Sequence, residues 1–181
     1  MPQAALGQTR SEGGFQFGLA AGPTILRGDL AEGADVGYHL LGFVRYAPSA
    51  VPVAIRVDLI YARVDLENTT LPDGRLTGDG FGRVIAPLVS AVFTLDRHAA
   101  VSPYVLIGVG LYGAHFSVGQ PLGDGVRQTE LLEETRYGLN GGVGASMRLG
   151  RVRAFLEARL HLAKPAGTKV NIVPLSIGIA L

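Results

Sequence analysis

His115 and Ser117 lie two residues apart, and Glu130 follows thirteen residues after Ser117. A hydroxyl nucleophile, an adjacent imidazole base and an orienting carboxylate make up the general hydrolase arrangement. In a strand the two-residue step places His115 and Ser117 on one face. A polar pair at a strand end meets the same spacing without chemistry, and that is the reading adopted. Gly108-Val109-Gly110-Leu111-Tyr112-Gly113 matches G-x-G-x-x-G after a strand-forming run. A dinucleotide site needs a helix to open there, so that its first amides meet the pyrophosphate. Ala114-His115-Phe116-Ser117-Val118 continues the strand instead, so no cofactor is expected. His39, His98 and His161 show no paired ligand spacing, and no metal centre is expected. Asp73, Asp79 and Asp124 fall in polar connections, where acids are ordinarily solvated. Asn68-Thr69-Thr70 marks another exposed connection. No catalytic, cofactor-binding or metal residue is therefore assigned, and the chain is expected not to be an enzyme.

The elements that carry these residues are strands. Of the 181 residues, 48% are apolar and only 17% charged, against roughly a quarter in ordinary soluble domains. Fourteen Arg and two Lys nearly cancel 15 acids to leave +1, without the basic excess of a nucleic-acid binder. The absence of cysteine excludes disulfides and thiol chemistry. Mean hydropathy is positive, yet charges or glycines interrupt every apolar run before it reaches the ~18 residues of a helical span.

Period-2 alternation runs through the chain instead. Val53, Ile55, Val57, Leu59 and Tyr61 share one face; Ala54, Arg56, Asp58 and Ala62 share the other. Val152, Ala154, Leu156, Ala158, Leu160 and Leu162 likewise oppose Arg153, Phe155, Glu157, Arg159 and His161. Eight such segments are predicted, at about 14–25, 35–47, 53–66, 80–95, 103–118, 134–149, 152–163 and 170–181. Pro87 and a shift in alternation predict a bulge or a misplaced register in the fourth. Connections after segments two, four and six are short, while Leu26–Ala34, Glu67–Asp79 and Gly119–Glu133 are longer and polar. This pattern predicts an all-β, eight-stranded antiparallel up-and-down transmembrane barrel, with short inner turns and longer outer loops.

In a membrane the apolar face turns outward and aromatics flank it. Tyr38, Tyr46, Phe15, Phe17, Tyr61 and Tyr137 suit those belts, and Arg63 and Asp65 lie beyond Tyr61 where the strand leaves hydrocarbon. The opposite face becomes a lumen network of Arg45, Arg56, Asp58, Arg136, Arg148, Arg153, Glu157 and Arg159. An eight-stranded barrel is just wide enough for its own side chains. These residues are therefore expected to form a packed, ion-paired plug, with Gly108, Gly110, Gly142 and Gly144 making room for guanidinium groups.

Eight alternating strands, the Pro103-Tyr104-Val105-Leu106-Ile107-Gly108-Val109-Gly110 run and a C-terminal strand at the chain end resemble the small bacterial outer-membrane β-barrels of the OmpA-transmembrane and OmpX-like group. That group usually ends in an aromatic residue; this chain ends in Leu181. The resemblance implies residence in a Gram-negative outer membrane, contact with its lipids and lipopolysaccharide, and insertion by the barrel-assembly machinery. It implies no nucleic-acid partner and leaves a surface ligand or a larger envelope assembly open. Residues 1–13 are expected to be an N-terminal tail or signal-peptide remnant, and 14–181 a single barrel domain. The expected function is non-enzymatic, with outer loops available for surface interaction. Two alternatives differ from it. The His-x-Ser step is similar to that of outer-membrane lipid A deacylases, which would make His115, Ser117 and Glu130 a lipid A hydrolase site. A soluble lipocalin-like carrier of an apolar ligand would place the Val/Leu/Ile face inside.

Overall fold

The computed structural model describes residues 14–28, 36–48, 51–66, 80–96, 99–122, 125–163 and 170–181. Among these, eight strands follow in order: β1 (Gly14–Gly28), β2 (Gly37–Ala47), β3 (Val53–Leu66), β4 (Gly80–Thr94), β5 (Val101–Leu122), β6 (Gly125–Leu149), β7 (Val152–Ala163) and β8 (Val170–Ala180). Each pairs antiparallel with the next, and β8 returns to β1, so the sheet closes on itself. Phe17 and Leu181 exchange both backbone hydrogen bonds at the seam, at 3.1 and 2.8 Å. Closure leaves no sheet edge within the barrel wall.

The alternation decides which face is inside. Ile55, Val57 and Leu59 are more than half exposed on the outer surface, while Ala54, Arg56, Asp58, Ile60 and Ala62 between them are buried. The same inversion runs round the barrel: Leu139, Val143, Leu156, Ile177 and Ile179 face out, and Asn140, Glu157, Arg159 and Ser176 face in. The soluble-carrier alternative required the opposite arrangement and is corrected here, because the charged face is the buried one. Gly150, at φ 64°, turns the chain between β6 and β7 within two residues. That left-handed conformation carries a Cβ penalty for other residues.

Two sequence expectations need correction. The predicted bulge in β4 is absent: its register with β3 is unbroken from Val53↔Phe93 to Leu66↔Gly80. Pro87 instead costs local pairing with β5, where the ladder passes from Ile85↔Gly113 to Leu88↔Gly110, because proline has no N–H to donate. The irregularity lies between β5 and β6, where Phe116↔Leu132 is followed by Ser117↔Glu130. The second correction concerns Gly119–Glu133, expected as a long loop. β5 and β6 run 22 and 25 residues, paired to Leu122↔Gly125. Among the described residues, pairing with β4 runs as far as Val118 and pairing with β7 as far as Gly138. β5 and β6 thus remain paired with each other beyond their described ladders to β4 and β7.

Candidate functional site

The lumen is built from i, i+2 charge pairs on two strands that stand opposite one another. Arg56 and Asp58 project from β3, and Glu157 and Arg159 from β7, with three strands between in either direction round the ring. Arg56 Nη1 and Nη2 donate to Glu157 Oε2 and Oε1 at 2.7 and 2.8 Å, a bidentate pair across the barrel. Arg56 Nε donates to Asp58 Oδ1 at 2.6 Å, and Arg159 Nε to Glu157 Oε1 at 2.7 Å. Arg159 Nη1 and Nη2 complete the square on Asp58 at 3.2 Å. Tyr104 of β5 adds a hydroxyl donor to Glu157 Oε2 at 2.8 Å, and the Arg56 guanidinium lies 4.3 Å from the Phe43 ring centroid.

All four charged side chains are at most 3% exposed. Two cations and two anions sum to zero, so the buried charge is matched by charge-assisted hydrogen bonds rather than by water. Toward the long-loop end lies a layer of hydroxyl and imidazole groups. His39 bridges Thr24 and Ser176 at 3.0 and 2.8 Å, and Tyr112 bonds His161 at 2.9 Å. The space among Thr24, His39, Tyr112 and His161 amounts to about 10 Å³, of the order of one water. At these two levels side chains pack against one another across the barrel.

Glycine provides the room, though chiefly for aromatic rings. A Cβ on Gly144 would meet the Tyr104 ring directly, one on Gly18 the Phe43 ring, and one on Gly138 the Tyr112 ring. Of the four glycines expected to accommodate guanidinium groups, Gly142 does so, against Arg159; Gly108 and Gly110 instead pack on Ser90 and Leu88. Gly144→Val should therefore displace Tyr104 from Glu157 and cost about 1–3 kcal/mol, read as a lower urea midpoint of the folded protein in detergent. An unchanged midpoint would mean that Tyr104 is not held by this contact.

Of the eight residues expected in the lumen, Arg56, Asp58, Glu157 and Arg159 come together as one cluster. Arg45 instead bonds Thr94 at 2.9 Å and Arg153 bonds Ser146 at 3.2 Å. Arg136, midway along β6, and Arg148, next to its C-terminal end, are both exposed. Tyr104, Phe43, His39, Tyr112 and His161 were not in the expected network, although each lies on the inward parity of its strand. Ser117 stands opposite Glu130 in the ladder and His115 opposite Glu133; the side chains of Ser117 and Glu130 lie outside the described residues. His98, Asp73, Asp79 and Asp124 also lie outside them, as do the 29–35 and 67–79 connections and residues 1–13. Among the described residues, no three His, Asp or Glu side chains gather as a metal site.

The outer wall is apolar and carries aromatic rings. Phe15, Phe17, Tyr38 and Tyr46 are exposed, with the Phe15 and Tyr46 ring centroids 4.9 Å apart and their planes tilted by 40°. An apolar exterior around a charged interior is the inverse of a water-soluble barrel. Closed topology and inverted faces together define a transmembrane β-barrel of the small eight-stranded outer-membrane type.

Solved structures agree on that fold. Neisserial surface protein A matches with a TM-score of 0.62 and 20% identity, over 92% of this chain and 96% of that one. A major outer membrane protein from Thermus thermophilus matches at 0.59 and 16% identity, over 92% and 98%. The attachment invasion locus protein Ail of Yersinia pestis, in complex with the heparin analogue sucrose octasulfate, matches at 0.56 and 17%, over 94% and 99%. No protein-family model and no curated protein sequence matches the chain.

Proposed function

We propose that this protein is a non-enzymatic outer-membrane barrel that presents the β5–β6 ribbon at the cell surface on a closed, non-conducting scaffold. The observation that carries the reading is the continuation of the β5–β6 ladder beyond the described ends of β4 and β7. Among the described residues, β6 has no neighbour on its β7 side from Gly125 to Tyr137, roughly 40 Å of strand at ~3.4 Å per residue. Binding residues concentrate on segments held out by a rigid scaffold, and a strand edge offers unpaired N–H and C=O groups to an extended partner. The crossed ion pairs of the lumen support a structural core rather than a passage. Contact with outer-membrane lipids and assembly by the barrel-insertion machinery accompany the reading.

The chain has no cysteine, so single cysteines report accessibility cleanly. Gly125→Cys at the ribbon tip should react with a membrane-impermeant maleimide on intact Gram-negative cells expressing the full chain. Gly150→Cys, in the β6–β7 turn at the other end, should react only after the outer membrane is permeabilised. Equal labelling of both, or the reverse order, would contradict the orientation and the surface role.

A further inference from the structure

The outward face changes chemistry along one hydrogen-bonded row. On β3, Val53, Ile55, Val57, Leu59 and Tyr61 precede Arg63; on β4, from the same end, Phe93, Ala91, Val89, Pro87 and Ile85 precede Arg83. Arg63 stands directly opposite Arg83, with Tyr38 on its other side, and Arg83 stands opposite His115 of β5. Ten residues from Val53 to Arg63 at ~3.4 Å rise and ~40° tilt cover about 26 Å along the barrel axis, the height of the apolar band of an outer-membrane barrel. The row therefore sits where hydrocarbon gives way to headgroups.

Directly opposed arginines on one face have Cβ atoms ~5 Å apart and repel each other. Among the described residues, little offsets this. Arg63 Nε reaches Asp65 Oδ1 only at 3.4 Å, with the Asp65 side chain 66% exposed. The Arg63 guanidinium lies 4.5 Å from the Phe81 ring centroid, which orients its plane without neutralising it. Arg83 Nε is buried and has no hydrogen-bond partner among the described residues. A tetrahedral oxyanion between the two guanidinium groups would relieve the repulsion and supply the missing acceptor, the geometry to which paired arginine forks are suited.

We propose that Arg63 and Arg83 form a phosphate-binding site on the barrel wall that holds the phosphorylated headgroup of an outer-leaflet lipid, its acyl chains lying along the apolar surface below. The site rests on the outer-membrane placement proposed above. Tyr38 and Tyr61 border it at the interface level, where amphipathic rings favour headgroups.

The test uses the full chain folded in detergent, its fold checked by an electrophoretic shift between unheated and boiled samples. Native mass spectrometry then compares retention of bisphosphorylated lipid A with that of the same lipid after dephosphorylation. The wild-type protein should retain the phosphorylated form at least ~10-fold better. The R63Q/R83Q variant should lose that preference, while R151Q, a cation in the opposite turn, should keep it. Equal retention of the two lipids by the wild type overturns the site, and this comparison stands even if the double variant fails to fold. An unchanged preference in folded R63Q/R83Q also overturns it. Saturable stabilisation by inorganic phosphate without any lipid preference would assign the arginines to a soluble anion and overturn the headgroup assignment. Absence of the heat-dependent shift would count against the barrel reading itself, so the two failures are distinguishable.

Discussion

Glu157→Ala will destabilise the folded barrel by about 3–5 kcal/mol, the range for removing one partner of a buried ion pair. Glu157 accepts from Arg56, Arg159 and Tyr104 at once. Its loss leaves two buried guanidinium groups with one carboxylate between them and an orphaned tyrosine hydroxyl. The cost arises from uncompensated burial rather than from the intrinsic strength of the square. Replacing all four charged residues together with apolar side chains of similar volume should consequently cost less than the single change. In a double-mutant cycle, Arg56→Ala should be markedly milder when Glu157 is already Ala, because the two share one network. Urea unfolding in detergent micelles or vesicles measures all of these. A Glu157→Ala penalty below about 1 kcal/mol would mean that water reaches the lumen and screens the pair.

Ile107→Arg is the second large effect, and it reads the opposite face. Ile107 is 64% exposed at the middle of the β5 wall, between Val105 and Val109 on the same side. On a soluble protein an exposed substitution of this kind stays within about ±0.5 kcal/mol. At the midplane of a lipid-facing wall the same change costs about 2–4 kcal/mol. Folding into phospholipid vesicles should therefore weaken by that amount, while Val101→Arg, near the short-turn rim of the same strand, should cost about 1 kcal/mol or less. A flat response at both positions would remove the lipid from the account.

Much of this architecture was legible in the alternation of residue types. Val53–Tyr61 assigned both faces of β3 because a strand has a period of two and only one face of a closed barrel is buried. The charge square was half legible: Arg56-x-Asp58 and Glu157-x-Arg159 each announce an inward-facing pair. That the two pairs meet across the ring depends on closure and stagger, which no local pattern contains. Inward aromatics were harder to see, because Tyr104, Phe43 and Tyr112 compete with the interface belts for the same residue types. Their signal is the glycine each needs beside it, as Gly144 lies opposite Tyr104 in the ladder. The β5–β6 ribbon was hidden by composition. Gly119, Pro121 and Asp124-Gly125 read as loop, and Leu131-Leu132-Glu133-Glu134 lacks β-branched residues. Cross-strand pairing overrides such weak local preferences once a tight hairpin sets the register.

The central claim is that this chain is a closed barrel whose solvent is lipid. Dilution of the urea-unfolded protein into phospholipid vesicles, followed by electrophoresis of unheated and boiled samples, tests it most directly. A lipid-solvated barrel gives a faster-migrating unheated band, appearing only when vesicles are present, that collapses to the unfolded position on boiling. A protein that folds to a β-rich, soluble form without lipid and shows no difference between the two lanes would contradict it.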